Sequence, residues 1–140
     1  GVVQCGPCVY FMHPIFEQYA QRAPKWIKTM VLNAVDLLLD EPLVRHDGPS
    51  TVIATLNEQQ AETRRVLHLL HYVPERRGGQ FDTIEDVIPL HDLAVSVEAG
   101  RKVKTVRRVP EGEALGFTQN AGRVEFTLPR LVGHQMIELA

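Results

Sequence analysis

The sequence predicts an α+β chain: one N-terminal strand and a long helix, followed by a small antiparallel β-sandwich of about seven strands. Three observations carry this. Apolar residues recur at helical spacing from Trp26 to Leu39, and no such stripe returns later. From Ser50 to Ala140, short strand-like segments are separated by turn formers roughly every 8–12 residues. The strand and helix that come first make half of a supersecondary unit, because a parallel strand needs a neighbour across its crossover helix. Residues 1–49 are therefore expected to be the incomplete end of one domain, and 50–140 a separate β-sandwich. The expectation is the C-terminal piece of a larger protein.

Each element has its own warrant. Val9-Tyr10-Phe11-Met12 are β-branched, aromatic and apolar residues that read as a strand, stopped by His13-Pro14. Ile15 to Ala20 supply a first turn or two of helix. Pro24 then stands where a helix accepts proline, at its first position. Trp26, Ile27, Met30, Val31, Ala34, Val35, Leu38 and Leu39 form one broad apolar stripe. Lys25, Lys28, Asn33 and Asp36 lie on the other faces, and Pro42 forbids continuation. Arg45-His46-Asp47-Gly48-Pro49 is a linker-like run of turn formers. Strands are expected over Thr51–Leu56, Val66–Tyr72, Val87–Leu90, Leu93–Val97 and Lys102–Val109. Ala114–Thr118 and Val124–Leu128 flank a four-residue loop, Gln119-Asn120-Ala121-Gly122, and Gln135–Leu139 follows.

Composition narrows the function classes. Apolar residues make up 44% and charged residues 23%, both near the average for folded domains. A net charge of −2 gives no electrostatic case for nucleic acid or an anionic membrane. No apolar run reaches the roughly 18 residues of a membrane span. Two cysteines are too few for a disulfide framework. A reducing, cytoplasmic setting is the default expectation.

Candidate chemistry is sparse. Cys5-Gly6-Pro7-Cys8 resembles the thioredoxin active site, whose first thiolate sits at a helix N-terminus. Strand formers rather than a helix follow Cys8, so Gly6-Pro7 is better read as a hairpin turn. A zinc site lacks a second cysteine pair or a spaced histidine pair. His68 and His71, three apart on one strand, point to opposite faces and cannot chelate one ion. His46, His91 and His134 stand near turns. Asp82, Glu85, Asp86 and Asp92 cluster around a loop; paired carboxylates can run glycoside hydrolysis, but a solvated acidic loop is the commoner arrangement. Arg76 and Arg77, between Pro74 and Gly78-Gly79, form a charged tip suited to interdomain contact. No catalytic, metal-ligating or cofactor-binding residue is assigned.

The segments Val9–Phe16, Leu32–Leu38 and His68–Arg77, with Gly133-His134-Gln135-Met136, resemble the C-terminal end of bacterial β-galactosidase-like glycoside hydrolases. Those enzymes have a catalytic TIM barrel, a glutamine-amidotransferase-like trimerisation domain and a small C-terminal β domain. The resemblance implies that residues 1–49 end the trimerisation domain and that 50–140 are the β domain. It brings no catalytic residue, because the barrel holds the family's carboxylates. It implies a non-catalytic role, bracing the barrel or its oligomer, with the rest of the parent enzyme and a second copy as partners. Trp26, Met30 and Leu38 are the expected oligomer interface. The alternatives are a carbohydrate-binding sandwich and a CxxC thiol–disulfide protein. Sugar-binding sandwiches usually expose aromatic platforms, since a sugar's apolar face stacks on a ring. Here the only tryptophan, Trp26, lies in the helical stripe.

Overall fold

A computed structural model describes residues 1–39 and 41–140. The chain divides into two compact units, Gly1–Pro42 and Leu43–Ala140.

The first unit begins with an antiparallel hairpin. β1 (Val2–Cys5) pairs with β2 (Cys8–Phe11), and Cys5 faces Cys8 across a two-residue turn. Gly6 takes φ +55° there, a conformation open to glycine at no steric cost. The expected single strand awaiting parallel neighbours is thus corrected. Val9–Phe11 finds its partner in the residues just before it. The expected long helix is also two: α1 (Ile15–Arg22) and α2 (Lys25–Leu38). Ala23 closes α1 in a left-handed conformation, its N–H donating to the Tyr19 carbonyl, and Pro24 forces a new start. Of the expected stripe on α2 only Ile27 and Ala34 are buried. Trp26, Val35, Leu38 and Leu39 remain exposed within the chain.

The second unit is a sandwich of two four-stranded antiparallel sheets. The first sheet runs β10–β11–β8–β3 and the second β4–β5–β12–β9. In chain order the strands are β3 (Val44–His46), β4 (Val52–Gln59), β5 (Arg64–His71), β6 (Glu75–Arg76), β7 (Asp82–Thr83), β8 (Leu90–Glu98), β9 (Val106–Val109), β10 (Phe117–Asn120), β11 (Arg123–Leu131) and β12 (Gly133–Leu139). β6 and β7 form a separate two-stranded ribbon. The sandwich therefore has eight strands where about seven were expected. The extra one is β3, which runs from Val44 into the stretch read as a linker: Val44 faces Val97 and His46 faces Val95 on β8. This pairing joins Val44–His46 to the sandwich, and the second compact unit begins at Leu43.

Three other expectations shift. Val87–Leu90 and Leu93–Val97 were expected as two strands around His91-Asp92. Val87–Pro89 lie outside any strand, and Leu90–Glu98 is one strand carrying Asp92 at φ +52°. The strand expected from Lys102 contracts to Val106–Val109. The four-residue loop at 119–122 is a two-residue turn. Asn120 pairs with Arg123, and Ala121 and Gly122 both take positive φ, as a type I′ hairpin requires.

Alternation builds the core. Leu67 and Leu69 of β5, Val95 and Val97 of β8, Val124, Phe126 and Leu128 of β11, and Ile137 and Leu139 of β12 point inward into one cluster. The passage between sheets from β11 to β12 turns at Gly133, at φ +65°. A Cβ there would stand 2.6 Å from the Tyr72 hydroxyl.

Candidate functional site

The outward faces of the two sheets carry the polar chemistry. On the second sheet, Glu138 of β12 lies opposite Arg107 of β9 and Val66 of β5. Its carboxylate accepts from Arg107 Nε at 2.5 Å and from Arg64 Nη1 at 2.6 Å. Although it points away from the apolar core, the residue is only 4% exposed, because the two arginine side chains cover it. The Arg107 hydrogen bond, aided by Arg64 and opposed by burial, holds the Glu138 carboxyl below the usual carboxylate range.

Two residues along the same face, His134 of β12 and His68 of β5 lie diagonally across the ladder. Their rings are parallel within 8°, with centroids 5.3 Å apart. Nδ1 of His68 and Nε2 of His134 are 3.2 Å apart, so one donates to the other. That separation plus the two ring radii takes up almost all of the centroid distance. The rings therefore meet edge to edge. His71, on the inward face as alternation requires, is buried, with Nδ1 3.1 Å from the Thr51 hydroxyl.

At the sheet's far edge the buried amide of Gln135 is fully used. Its Oε1 accepts from Arg108 Nη2 at 3.1 Å, and its Nε2 donates to the Val109 carbonyl and Glu111 Oε2. Glu111 is lowered below its ordinary value by a backbone hydrogen bond first and by Gln135 second. Arg108 also reaches Glu113 at 2.6 Å. These ties hold the turn that contains the cis Val109–Pro110 peptide.

Two open grooves flank the first sheet. One, of about 700 Å³, crosses its outer face over Arg45, Ser96, Thr118 and Glu125, with the small residues Ala94 and Gly116 in its lining. The other, of about 660 Å³, lies at the end of the sheet between the loop after β8 and the β10–β11 turn. Both are open and shallow, in the size range of small-ligand sites.

The sequence-predicted residues fall as follows. Arg76 and Arg77 sit on the β6–β7 ribbon, where Arg76 Nε meets Asp82 at 2.7 Å and Arg77 meets both Glu75 and Glu85. The suspected acidic loop thus supplies ion-pair partners to the two arginines. In the first unit, Trp26 and Met30 line a groove of about 760 Å³ with Val2, Val9 and Leu37; Leu38 is not part of it. Cys5 and Cys8 are free and exposed at the tip of the hairpin. Among the described residues no set of three or more His, Cys, Asp or Glu is placed to hold a metal ion.

Sequence reasoning missed the Glu138 clasp, the His68–His134 pair and the groove beside Arg101. Each depends on which strands are neighbours, and β12 lies between β5 and β9, both far from it in sequence. The signal that could have found the clasp was Glu138 itself, a carboxylate between Ile137 and Leu139.

Comparison with known proteins then relates the fold to an enzyme class. No protein-family model and no curated protein matches the chain. Among solved structures it is similar to alpha-L-fucosidase isoenzyme 2 from Paenibacillus thiaminolyticus. The TM-score is 0.94 at 35% identity, covering 99% of this chain and 21% of that one. The chain thus spans about a fifth of that enzyme's length. The similarity runs through both compact units and relates the chain to a region of a glycoside hydrolase, a fucosidase and not specifically a β-galactosidase.

Proposed function

We propose that the chain is a non-catalytic accessory region of a glycoside hydrolase, bracing the catalytic body or its oligomer. The observation that carries this reading is the similarity, over nearly the whole chain, to about a fifth of a fucosidase. The division of labour has a physical basis. Retaining glycosidases need two carboxyl groups roughly 5–5.5 Å apart in one cleft. Here Asp82 and Glu85 are each committed to an arginine, and Glu138 is clasped by two.

Within this reading the first unit ends a middle domain of the trimerisation type, and its exposed apolar side chains meet the rest of the parent or a second copy. Among the described residues of that unit only Ile15, Ile27 and Ala34 are buried, too little for so small a unit to stand alone. The β6–β7 ribbon with Arg76 and Arg77 is a second contact point for the parent. Two exposed free cysteines fit a reducing compartment, hence a cytoplasmic parent. For the sugar, the 35% identity favours an α-L-fucoside; a β-galactoside is the alternative, on the segments that resemble that class.

The test compares the isolated chain with the polypeptide of its full reading frame on chromogenic α-L-fucosides and β-galactosides. The isolated chain is expected to turn over neither, and the full polypeptide one of them. Turnover that co-purifies with the isolated chain, or a reading frame without a hydrolase module, would overturn the proposal.

A further inference from the structure

The groove at the end of the first sheet has a built architecture. The Ala99 N–H donates to the Gly122 carbonyl at 2.9 Å, tying the loop after β8 to the β10–β11 turn. The Gln119 side chain ties the same loop to β10. Its Oε1 accepts from the Val103 N–H at 2.9 Å and its Nε2 donates to the Arg101 carbonyl at 2.6 Å. The backbone that carries Arg101 and Lys102 is therefore tied on both sides, at Ala99 and at Val103.

Its side chains are of three kinds. Arg101 and Lys102 are cations on the groove lining, and Lys102 is exposed. Glu98 is a carboxylate on the same lining, already positioned: its Oε1 accepts from the Gly100 N–H at 3.0 Å, and its Oε2 lies 4.0 Å from Arg123 Nη1. Phe117, half-buried, adds an apolar ring. Arg65 and Arg123 do not line the groove; they are tied to the Glu98 carbonyl and to Ser96.

One atom is out of balance. Arg101 Nη2 is buried and has no hydrogen-bond partner. A guanidinium is always charged and offers five donors, so a buried unmet one is held at a cost. Turning Arg101 into the groove gives up no partner at that nitrogen, and an acceptor placed there would relieve the cost. Oxyanions suit the guanidinium fork best, because they accept two parallel hydrogen bonds.

We propose that this groove binds one acidic sugar residue. Arg101 and Lys102 hold its carboxylate, Glu98 accepts from its hydroxyls, and Phe117 backs its ring. The sugar part of the proposal rests on the glycoside-hydrolase reading; the anion part rests on the groove alone.

The test titrates the intact chain with glucuronate, glucose and inorganic sulfate, following backbone amide shifts by NMR. Glucuronate is expected to saturate, with the largest shifts at residues 98–103 and 117–122. Arg101→Ala with Lys102→Ala should weaken it by about tenfold or more, and glucose should bind at least about tenfold more weakly than glucuronate. Arg101→Lys, which keeps charge but loses the fork, should fall between. The amide spectrum reports whether each variant is folded. No saturable glucuronate shift, shifts elsewhere, or affinity unchanged in folded variants would overturn the proposal. Sulfate binding as tightly as glucuronate would also overturn it, leaving an oxyanion site without sugar recognition. Glucuronate binding that persists beside a parent without hydrolase activity would support this site while removing the reading above.

Discussion

Glu138 and Arg107 face each other across the β12–β9 ladder, and the carboxylate receives the guanidinium Nε at 2.5 Å. Arg64, from the other side of β12, takes the second oxygen at 2.6 Å. One acidic residue thus ties three strands of the second sheet on its outer face, opposite the apolar core. Charge-assisted bonds of this geometry are roughly twice as strong as neutral ones. Both arginines are partly exposed, which screens their share.

Replacing Glu138 by Ala is expected to cost about 1–3 kcal/mol, the range for lost hydrogen bonds to a charged group discounted for the water that reaches both arginines. The pH dependence follows from the sign of the shift. The carboxyl is held below its ordinary value in the fold, so its stabilisation is complete above the unfolded value of about 4.3 and is lost as pH falls through the lower folded value. Urea unfolding between neutral and acid pH should show this loss in the parent and a flatter profile in Glu138→Gln. Equal acid sensitivity in both chains would refute the clasp.

Gly133→Ala is expected to be costly for two reasons that act together. The backbone there is left-handed at φ +65°, and the new Cβ would meet the Tyr72 ring and hydroxyl. Strain of this kind is worth about 1–3 kcal/mol at a non-glycine residue. A second variant separates the causes: with Tyr72→Ala in place, the collision is gone and only the backbone term remains. Thermal melts of the two variants and their combination measure the coupling.

The strands near β4, β5, β11 and β12 were legible in the sequence, because runs of β-branched and apolar residues there are bounded by turn formers. The turn at Gly6-Pro7 was legible for a similar reason: strand formers lie on both sides of it. What escaped was pairing. β3 hides in Val44-Arg45-His46, three residues too few to show an alternation, and exists only because β8 offers an edge. The clasp, the histidine pair and the groove beside Arg101 are made by residues up to 74 positions apart, and no local pattern marks them. The helical stripe shows the opposite limit. Trp26 and Leu38 were rightly grouped as apolar, yet their pattern says nothing of what covers them, and within this chain they stay exposed.

Changing both Cys5 and Cys8 to Ser is expected to leave folding and function intact. The cysteines face each other across a hairpin turn and are exposed, with a strand rather than a helix following Cys8. Exposed substitutions of this kind usually move stability by less than about 0.5 kcal/mol. Melting curves and an insulin-reduction assay check this. Reduction at a thioredoxin-like rate by the parent, lost in the double variant, would restore the redox reading.

The first unit is expected to associate with a second copy of itself. Trp26 is 60% and Leu38 45% exposed, and Leu37, Leu39, Phe16 and Tyr10 are open as well. Each large apolar side chain left in water forgoes about 1.5–3 kcal/mol relative to burial. Trp26 and Met30 share a groove with Val2 and Val9, so one partner surface could cover several of them at once. Among the described residues Lys25 is the only charged one in that lining, so bringing two such faces together desolvates little charge. A two-fold dimer is the simplest outcome, since the same patch then serves both partners. Sedimentation velocity over a range of concentrations should show a sedimentation coefficient that rises with loading. Trp26→Asp with Met30→Asp should abolish the rise, because a buried unpaired carboxylate at the interface outweighs the apolar contacts it replaces. Leu38→Asp should do less if the groove itself is the contact, because Leu38 does not line it. A parent chain that stays monomeric at every concentration would sink the prediction.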